Sequence, residues 1–241
     1  MSVAGSFYPA EPAVLRAEVE RLLAAAAQGP ASKAIIAPHA GYIYSGPIAA
    51  SAFRRLTGVK RVVLLGPSHF VALRGVALPA GDVYSTPLGD VPVEAPPGLR
   101  VNQAAHAREH SLEVEVPFLQ CALREFTLVP LVVGDAAPQE VAGVVDALWG
   151  GPETAIVISS DLSHYLPYEL AQRADAATAK EILALGRLDH GDACGAAPVN
   201  GLLAAARKRG LRAELFDLRN SGDTAGDRQR VVGYGAFGFY E

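Results

Sequence analysis

Three of the six histidines in this 241-residue chain stand just beyond short apolar runs. The run at 34–37 passes into Pro38-His39-Ala40-Gly41-Tyr42, the run at 62–65 into Gly66-Pro67-Ser68-His69, and the run at 154–159 into Ser160-Asp161-Leu162-Ser163-His164. An imidazole changes charge near neutral pH and ligates metals, so each of these residues can move a proton or hold a cation. One histidine after a strand is more often a structural hydrogen-bonder. Three in equivalent places make a shared pocket the better reading. Gly41, Gly46 and Gly66 let the backbone come close to a ligand in those turns. Cys194, in Gly191-Asp192-Ala193-Cys194-Gly195, precedes a helical segment with Pro198 in its first turn. A helix N-terminus favours thiolate, which is both the nucleophilic and the metal-binding form of cysteine.

Other residues of these types read differently. Cys121 falls in the apolar pattern of Phe118, Leu119 and Leu123 and is expected to be a small buried hydrophobe. His106 and His110 bracket Arg108-Glu109 at the start of a helical segment, where His106 is expected to be solvated or to cap the helix and His110 can point inward. His190 follows Asp189 in a loop and is expected at the surface. Phe7, Tyr8, Tyr42, Tyr44 and Phe70 lie beside the expected pocket, yet core packing explains aromatics there equally well. Asn220 and Asp223 are turn formers that could also support a site.

The elements that must position the histidines follow from the apolar pattern. Runs at 34–37, 62–65, 127–133 and 154–159 are too continuous in Ile, Val and Leu to have a solvent face, as in strands of a parallel sheet covered on both sides. Longer amphipathic stretches separate them, with helices expected over 12–27, 47–56, 111–124, 138–149, 168–187 and 196–209, several opened by proline. Pro117 marks a kink or a later start in the third. Residues 74–97 suggest a small antiparallel excursion, and 212–218 and 231–240 look like strands closing the sheet. The expected fold is α/β: a single domain over 1–241, built as an α/β/α sandwich around a central, mostly parallel sheet. In such sheets ligands bind beyond the carboxyl ends of the strands, where His39, His69 and His164 fall.

Composition narrows the function. Half of the residues are hydrophobic and 19% are charged, enough apolar material for one substantial core without metal or disulfide support. The net charge of −4 comes with no basic run, which argues against a nucleic-acid partner. No apolar run reaches the roughly 18 residues of a membrane span, and the N-terminus lacks the basic and apolar regions of a secretory signal, so a cytoplasmic location is expected. Two cysteines far apart in sequence are expected as reduced thiols.

Several ordered blocks resemble the Memo family over essentially the whole chain: AGSFYPA at 4–10, PHAGYIYSG at 38–46, GPSH at 66–69, EHSLEVEVPF at 109–118, SSDLSH at 159–164, CG at 194–195, NSGD at 220–223 and VVGYGAFGFY at 231–240. The resemblance implies the fold of the class III extradiol ring-cleaving dioxygenases, which hold non-haem Fe(II) with two histidines and a carboxylate. It implies that His39 and His69 are metal ligands, that Cys194 takes the place of the carboxylate, and that His164 matches the acid–base histidine with Asp161 nearby. Two imidazoles and a thiolate form a softer set that suits Cu(I), Zn(II) or a differently tuned iron. The implied cofactor is therefore iron or copper, with zinc also suited. Vertebrate relatives are associated with metal binding, redox effects, signalling in cell movement and docking of a phosphotyrosine-bearing receptor peptide in this pocket. Prokaryotic relatives, the B proteins of AmmeMemoRadiSam systems, are encoded beside a radical S-adenosylmethionine protein, which implies a functional link to it.

Three readings remain open at this level. One is a redox metal held by His39, His69 and Cys194, with His164 and Asp161 moving protons for a small molecule in a dioxygenase-like or other oxidoreductase reaction. Another is a metal-free cysteine enzyme with Cys194 as nucleophile, His164 as base and Asp161 orienting it. The third is a catalytically silent module whose pocket captures a peptide or another partner.

Overall fold

The computed structural model describes residues 1–123 and 125–241. Four apolar strands lie side by side and parallel at its centre, in the order β1 (Ala34–Ala37), β8 (Thr154–Ser159), β2 (Arg61–Pro67) and β7 (Thr127–Val133). Ala34 pairs with Ile156, and Arg61 pairs with Thr154 on one side and Thr127 on the other, so all four strands end at the same edge. Antiparallel strands flank this centre. β11 (Val231–Tyr240) and β10 (Arg212–Asn220) extend it beyond β1, while β3 (Val76–Leu78), with β6 (Arg100–Val101), extends it beyond β7. β4 (Val83–Thr86) and β5 (Gly89–Pro92) form the expected hairpin excursion.

Strand side chains alternate between two apolar layers, as a period of two requires. Ile35, Val62, Leu64, Leu128 and Val157 pack into one layer with Leu15 and Val19 of α1 (Pro12–Ala25), Ile48 and Phe53 of α2 (Tyr42–Phe53) and Phe118 of α5 (Val116–Ala122). Ile36, Val63, Leu65, Val129 and Ile158 pack into the other with Val141 and Val145 of α6 (Pro138–Ala147), Ile182 of α7 (Tyr168–Leu183) and Leu202 of α8 (Ala196–Arg209). Each such side chain taken out of water contributes roughly 1.5–3 kcal/mol before the entropy of ordering it is counted. The result is the α/β sandwich that the continuous apolar runs imply.

Two helices depart from the sequence reading at prolines. The helix expected from Pro47 begins at Tyr42, where the Gly41 carbonyl accepts from the N–H groups of Tyr44 and Ser45. Pro47 lies in its second turn, where it removes one backbone donor without ending the helix. The helix expected over 111–124 is two, α4 (His110–Glu113) and α5, with Pro117 in the first turn of α5; Arg124 lies outside the described residues. α7 stops at Leu183, short of 187, and Leu185 adopts a left-handed φ of 53°. Short α3 (Gln103–His106) and α9 (Ser221–Thr224) complete the helices named here, and β9 (His164–Leu166) pairs with β11.

Candidate functional site

His39 leaves the end of β1 and is 2% exposed. Its Nδ1 lies 2.7 Å from Ser159 Oγ at the end of the adjacent β8, and its backbone N–H donates to Asp161 Oδ1 at 2.8 Å. Its other ring nitrogen, Nε2, is 3.4 Å from Cys194 Sγ. The cysteine sits in the turn before α8, where the Asp161 backbone N–H donates to its sulfur at 3.3 Å and the Gly195 N–H donates to Ser160 Oγ at 3.0 Å. The turn after β8 therefore holds His39 and Cys194 against each other, although 155 positions separate them.

His69 leaves the end of β2 and is gripped by Glu109, the residue before α4. Oε2 accepts from the His69 backbone N–H at 2.6 Å, Oε1 lies 2.8 Å from Nδ1, and Oε1 also accepts from the Ser111 N–H at 3.0 Å. One donor atom each from His39, His69 and Cys194 lies within 4.8 Å of the other two. One donor atom each from His69, Glu109 and His110 likewise lies within 4.8 Å of the other two. Glu109 is buried there and already occupied by three N–H groups, so that second set has no free carboxylate to offer. His110 instead stacks on the His69 ring at 4.6 Å and 20°, with Phe7 edge-on to it at 5.0 Å.

These histidines open on a cavity of ≈740 Å³ beyond the strand ends. Asp161 and His164 line it too, and Phe7, Tyr44, Tyr165 and Arg230 contribute to its walls. His164 donates from Nδ1 to the Leu162 carbonyl at 2.8 Å, which leaves Nε2 to accept a proton. Tyr165 next to it adopts a left-handed φ of 58°, a conformation a bulky residue rarely takes and one that clusters at functional sites. Cys194 is not among the residues that line this cavity; it borders a different one of ≈530 Å³, together with exposed His190.

Burial dominates the electrostatics. It holds His39 well below the usual imidazole range, helped by the nearby rings of His69, His110 and His164, so His39 is neutral. His110 and His164 are lowered for the same first reason. Burial pushes Asp161 up to about 7 against the hydrogen bond from the His39 backbone, and pushes Cys194 up to about 12, with the Asp161 charge adding to it. This corrects the expectation that the start of α8 favours thiolate: desolvation outweighs the helix terminus. The metal-free sulfur is a thiol that a coordinating cation would deprotonate.

Several expectations about individual residues change. Among the described residues, Cys194 is hydrogen-bonded with His39 and Asp161 but not with His164, so the arrangement a metal-free cysteine enzyme would use is not assembled. His106 is half-buried rather than fully solvated and is not a cap; its Nε2 donates to the Ala77 carbonyl at 2.9 Å, away from the pocket. Cys121 is half-buried at the edge of the α1–α2 layer. Asn220 and Asp223 form a capping box around α9, a polar turn as expected. Glu109, Ser159 and Glu115 escaped the sequence reading as supports of the histidines. Glu109 stands in the EHSLEVEVPF block, but nothing local reveals that its carboxylate reaches back 40 residues to His69.

The family model described as Memo-like protein matches residues 1–237. A MEMO1 family protein of Methanococcoides burtonii is 36% identical over 260 residues, covering 98% of this chain and 97% of the relative. Those of Archaeoglobus fulgidus and Aquifex aeolicus are also 36% identical, each over 261 residues, with 98% and 97% of this chain and 97% and 96% of the relatives covered. With a match that runs from the N-terminal segment through the strand-end histidines to the last strand, the chain belongs to the Memo-like family.

Proposed function

We propose that the pocket is a metal centre in which His39, His69 and Cys194 hold a redox metal, iron or copper, with zinc as a further cation the donors suit. The observation that carries this reading is the approach of the three donor atoms to within 4.8 Å of one another. The residues fit such an ion for a second reason. Both imidazoles have Nδ1 engaged, by Ser159 and by Glu109, which leaves Nε2 of each ring as the ligating atom, the usual arrangement behind metal-bound histidines. The donor set of two nitrogens and one sulfur is of borderline softness, which suits copper, zinc and iron better than magnesium or calcium.

A bound iron or copper would supply one-electron chemistry to a small molecule in the cavity. Around it, His164 exchanges a proton with that molecule through Nε2, its tautomer fixed by the Leu162 carbonyl. Asp161 anchors the His39 backbone and shares proton handling with His164. A thiol held up to about 12 by burial favours this reading over a free cysteine nucleophile. The link to a radical S-adenosylmethionine protein belongs to the proposal as well.

Elemental analysis decides it. Tag-free protein purified without oxygen and loaded with Fe(II), Cu(I) or Zn(II) should retain close to one equivalent of at least one of them, and Cys194→Ala should lose it. No retained metal in the unmutated protein would overturn the centre and leave a pocket that binds a peptide or another partner without a cofactor.

A further inference from the structure

Behind His39 the hydrogen-bond chain continues past Ser159 to groups that the metal reading does not use. Ser159 Oγ has three neighbours: the Ser111 carbonyl at 2.6 Å, Glu115 Oε1 at 2.8 Å and His39 Nδ1 at 2.7 Å. A hydroxyl has one proton to give and two lone pairs to receive with. The Ser111 carbonyl can only accept, so it takes that proton. The other two neighbours must then be donors: His39 through Nδ1–H, and Glu115 through a carboxylic O–H.

The rest of the Glu115 environment agrees. The residue is fully buried at the start of α5, and its second oxygen, Oε2, has no hydrogen-bond partner among the described residues. An ionised carboxylate there would leave a buried charge with one oxygen unpaired, far costlier than a neutral acid with an unpaired carbonyl. Burial, with the nearby Asp161 charge, holds the Glu115 carboxyl well above the usual carboxylate range despite its bond to Ser159. Glu109 differs: both of its oxygens accept N–H donors, which is how a carboxylate behaves.

We propose that Glu115 is a positioning residue, acting through Ser159 on His39 as a hydrogen-bond donor rather than as a carboxylate. The two imidazoles of the centre are then unequal. His69 is backed directly by a carboxylate, whereas His39 is backed by a neutral acid through a hydroxyl, which makes His39 the weaker electron donor to a bound ion. This inference rests on the metal reading only for its consequence; the donor state of Glu115 is a property of the metal-free protein.

Two measurements test it. In the infrared difference spectrum between the metal-free wild type and Glu115→Gln at neutral pH, the band that disappears should be the carbonyl stretch of a protonated carboxylic acid. Loss of carboxylate bands alone would overturn the proposal, whatever the protein does with metals. In a chelator-competition titration, Glu115→Gln, whose amide N–H can still donate to Ser159, should keep metal affinity within a few-fold of wild type. Glu115→Leu and Glu109→Gln should each weaken it by roughly 10- to 100-fold, the range typical of outer-shell partners. Equal damage from Glu115→Gln and Glu109→Gln would overturn the proposal. Should Glu115→Leu fail to fold, the two amide variants decide it. A wild type that binds no metal defeats the metal reading, while the infrared result still decides the state of Glu115.

Discussion

Glu109 holds His69 at two points with its two oxygens, the backbone N–H at 2.6 Å and ring Nδ1 at 2.8 Å. The carboxylate thereby fixes both where the turn after β2 runs and how the imidazole is rotated within it. Burial alone would raise the Glu109 carboxyl, but the donors from His69 and Ser111 outweigh it and bring the group below its ordinary range.

Glu109→Ala is therefore expected to act on metal affinity and on stability together. Metal affinity, read by competition with a chelator, should fall by roughly 10- to 100-fold. The abandoned N–H groups of His69 and Ser111 should cost about 1–3 kcal/mol for each that stays dry, read from the midpoint of denaturant unfolding. A variant with wild-type affinity would mean that the ring of His69 is oriented by its stacking on His110 instead.

Gly195 offers a test of the other side of the centre. A Cβ there would lie 2.6 Å from Ser160 Cβ and 2.8 Å from the Ser159 carbonyl oxygen, so the cysteine turn would have to move away from the end of β8. Gly195→Ala should lose about 1–3 kcal/mol of stability and weaken metal binding through Cys194. Gly143→Ala is the control, because a Cβ at that exposed position in α6 meets nothing within 4 Å. It should stabilise the fold by about 0.5–1 kcal/mol, since alanine loses less backbone freedom in a helix. Equal effects of the two substitutions would remove the steric argument.

What could be read from the residues alone follows the range of the interactions. The strands 34–37, 127–133 and 154–159 were legible because burial on both faces leaves continuous Ile, Val and Leu, and the place of the histidines followed from where those strands end. Pro47 and Pro117 blurred helix boundaries because proline suits both a first turn and a tolerated interior position. The supports of the site were not legible. Glu109, Ser159 and Glu115 matter through contacts that cross from α4 and α5 to the ends of β2 and β8, and no local pattern records such a contact. The charge state of metal-free Cys194 is not legible for the same reason: the helix terminus is visible in sequence, while the burial that overrides it is not.

That burial predicts slow chemistry at the sulfur. With its pKa pushed up to about 12, metal-free Cys194 at pH 8 carries about a thousandfold less thiolate than an ordinary thiol and should alkylate correspondingly slowly with iodoacetamide. Peptide mapping by mass spectrometry separates it from Cys121, which burial also pushes up, to about 11. Labelling should quicken as the pH is raised further and should stop when metal is added. Rapid labelling of Cys194 at pH 7 in metal-free protein would restore the cysteine nucleophile as the better reading.

The N-terminal segment should respond to acid through Glu113. This carboxylate accepts from the Ser2 N–H at 2.6 Å, Ser2 Oγ at 2.9 Å, the Val3 N–H at 3.1 Å and Tyr8 Oη at 2.7 Å, and so ties residues 2–8 to α4. Between those anchors lies Phe7, whose ring meets His110 and whose carbonyl accepts the Tyr42 N–H at the start of α2. Burial opposes the charge on Glu113, but the hydrogen bonds from Tyr8, Ser2 and Val3 prevail and bring its carboxyl below the ordinary 4.5. A group depressed in the folded state stabilises it above the unfolded pKa, and that contribution is lost as the pH falls through the folded value. Amide hydrogen exchange of residues 2–8, compared at equal intrinsic rate, should therefore stay protected at pH 5 and above and open only as the pH falls below the ordinary 4.5 and through the lower folded value. Glu113→Gln should already show the loosened segment at pH 7, with little further change on acidification. Protection that is lost between pH 5 and 7 in the wild type, or an unchanged acid response in Glu113→Gln, would assign the clamp to other groups.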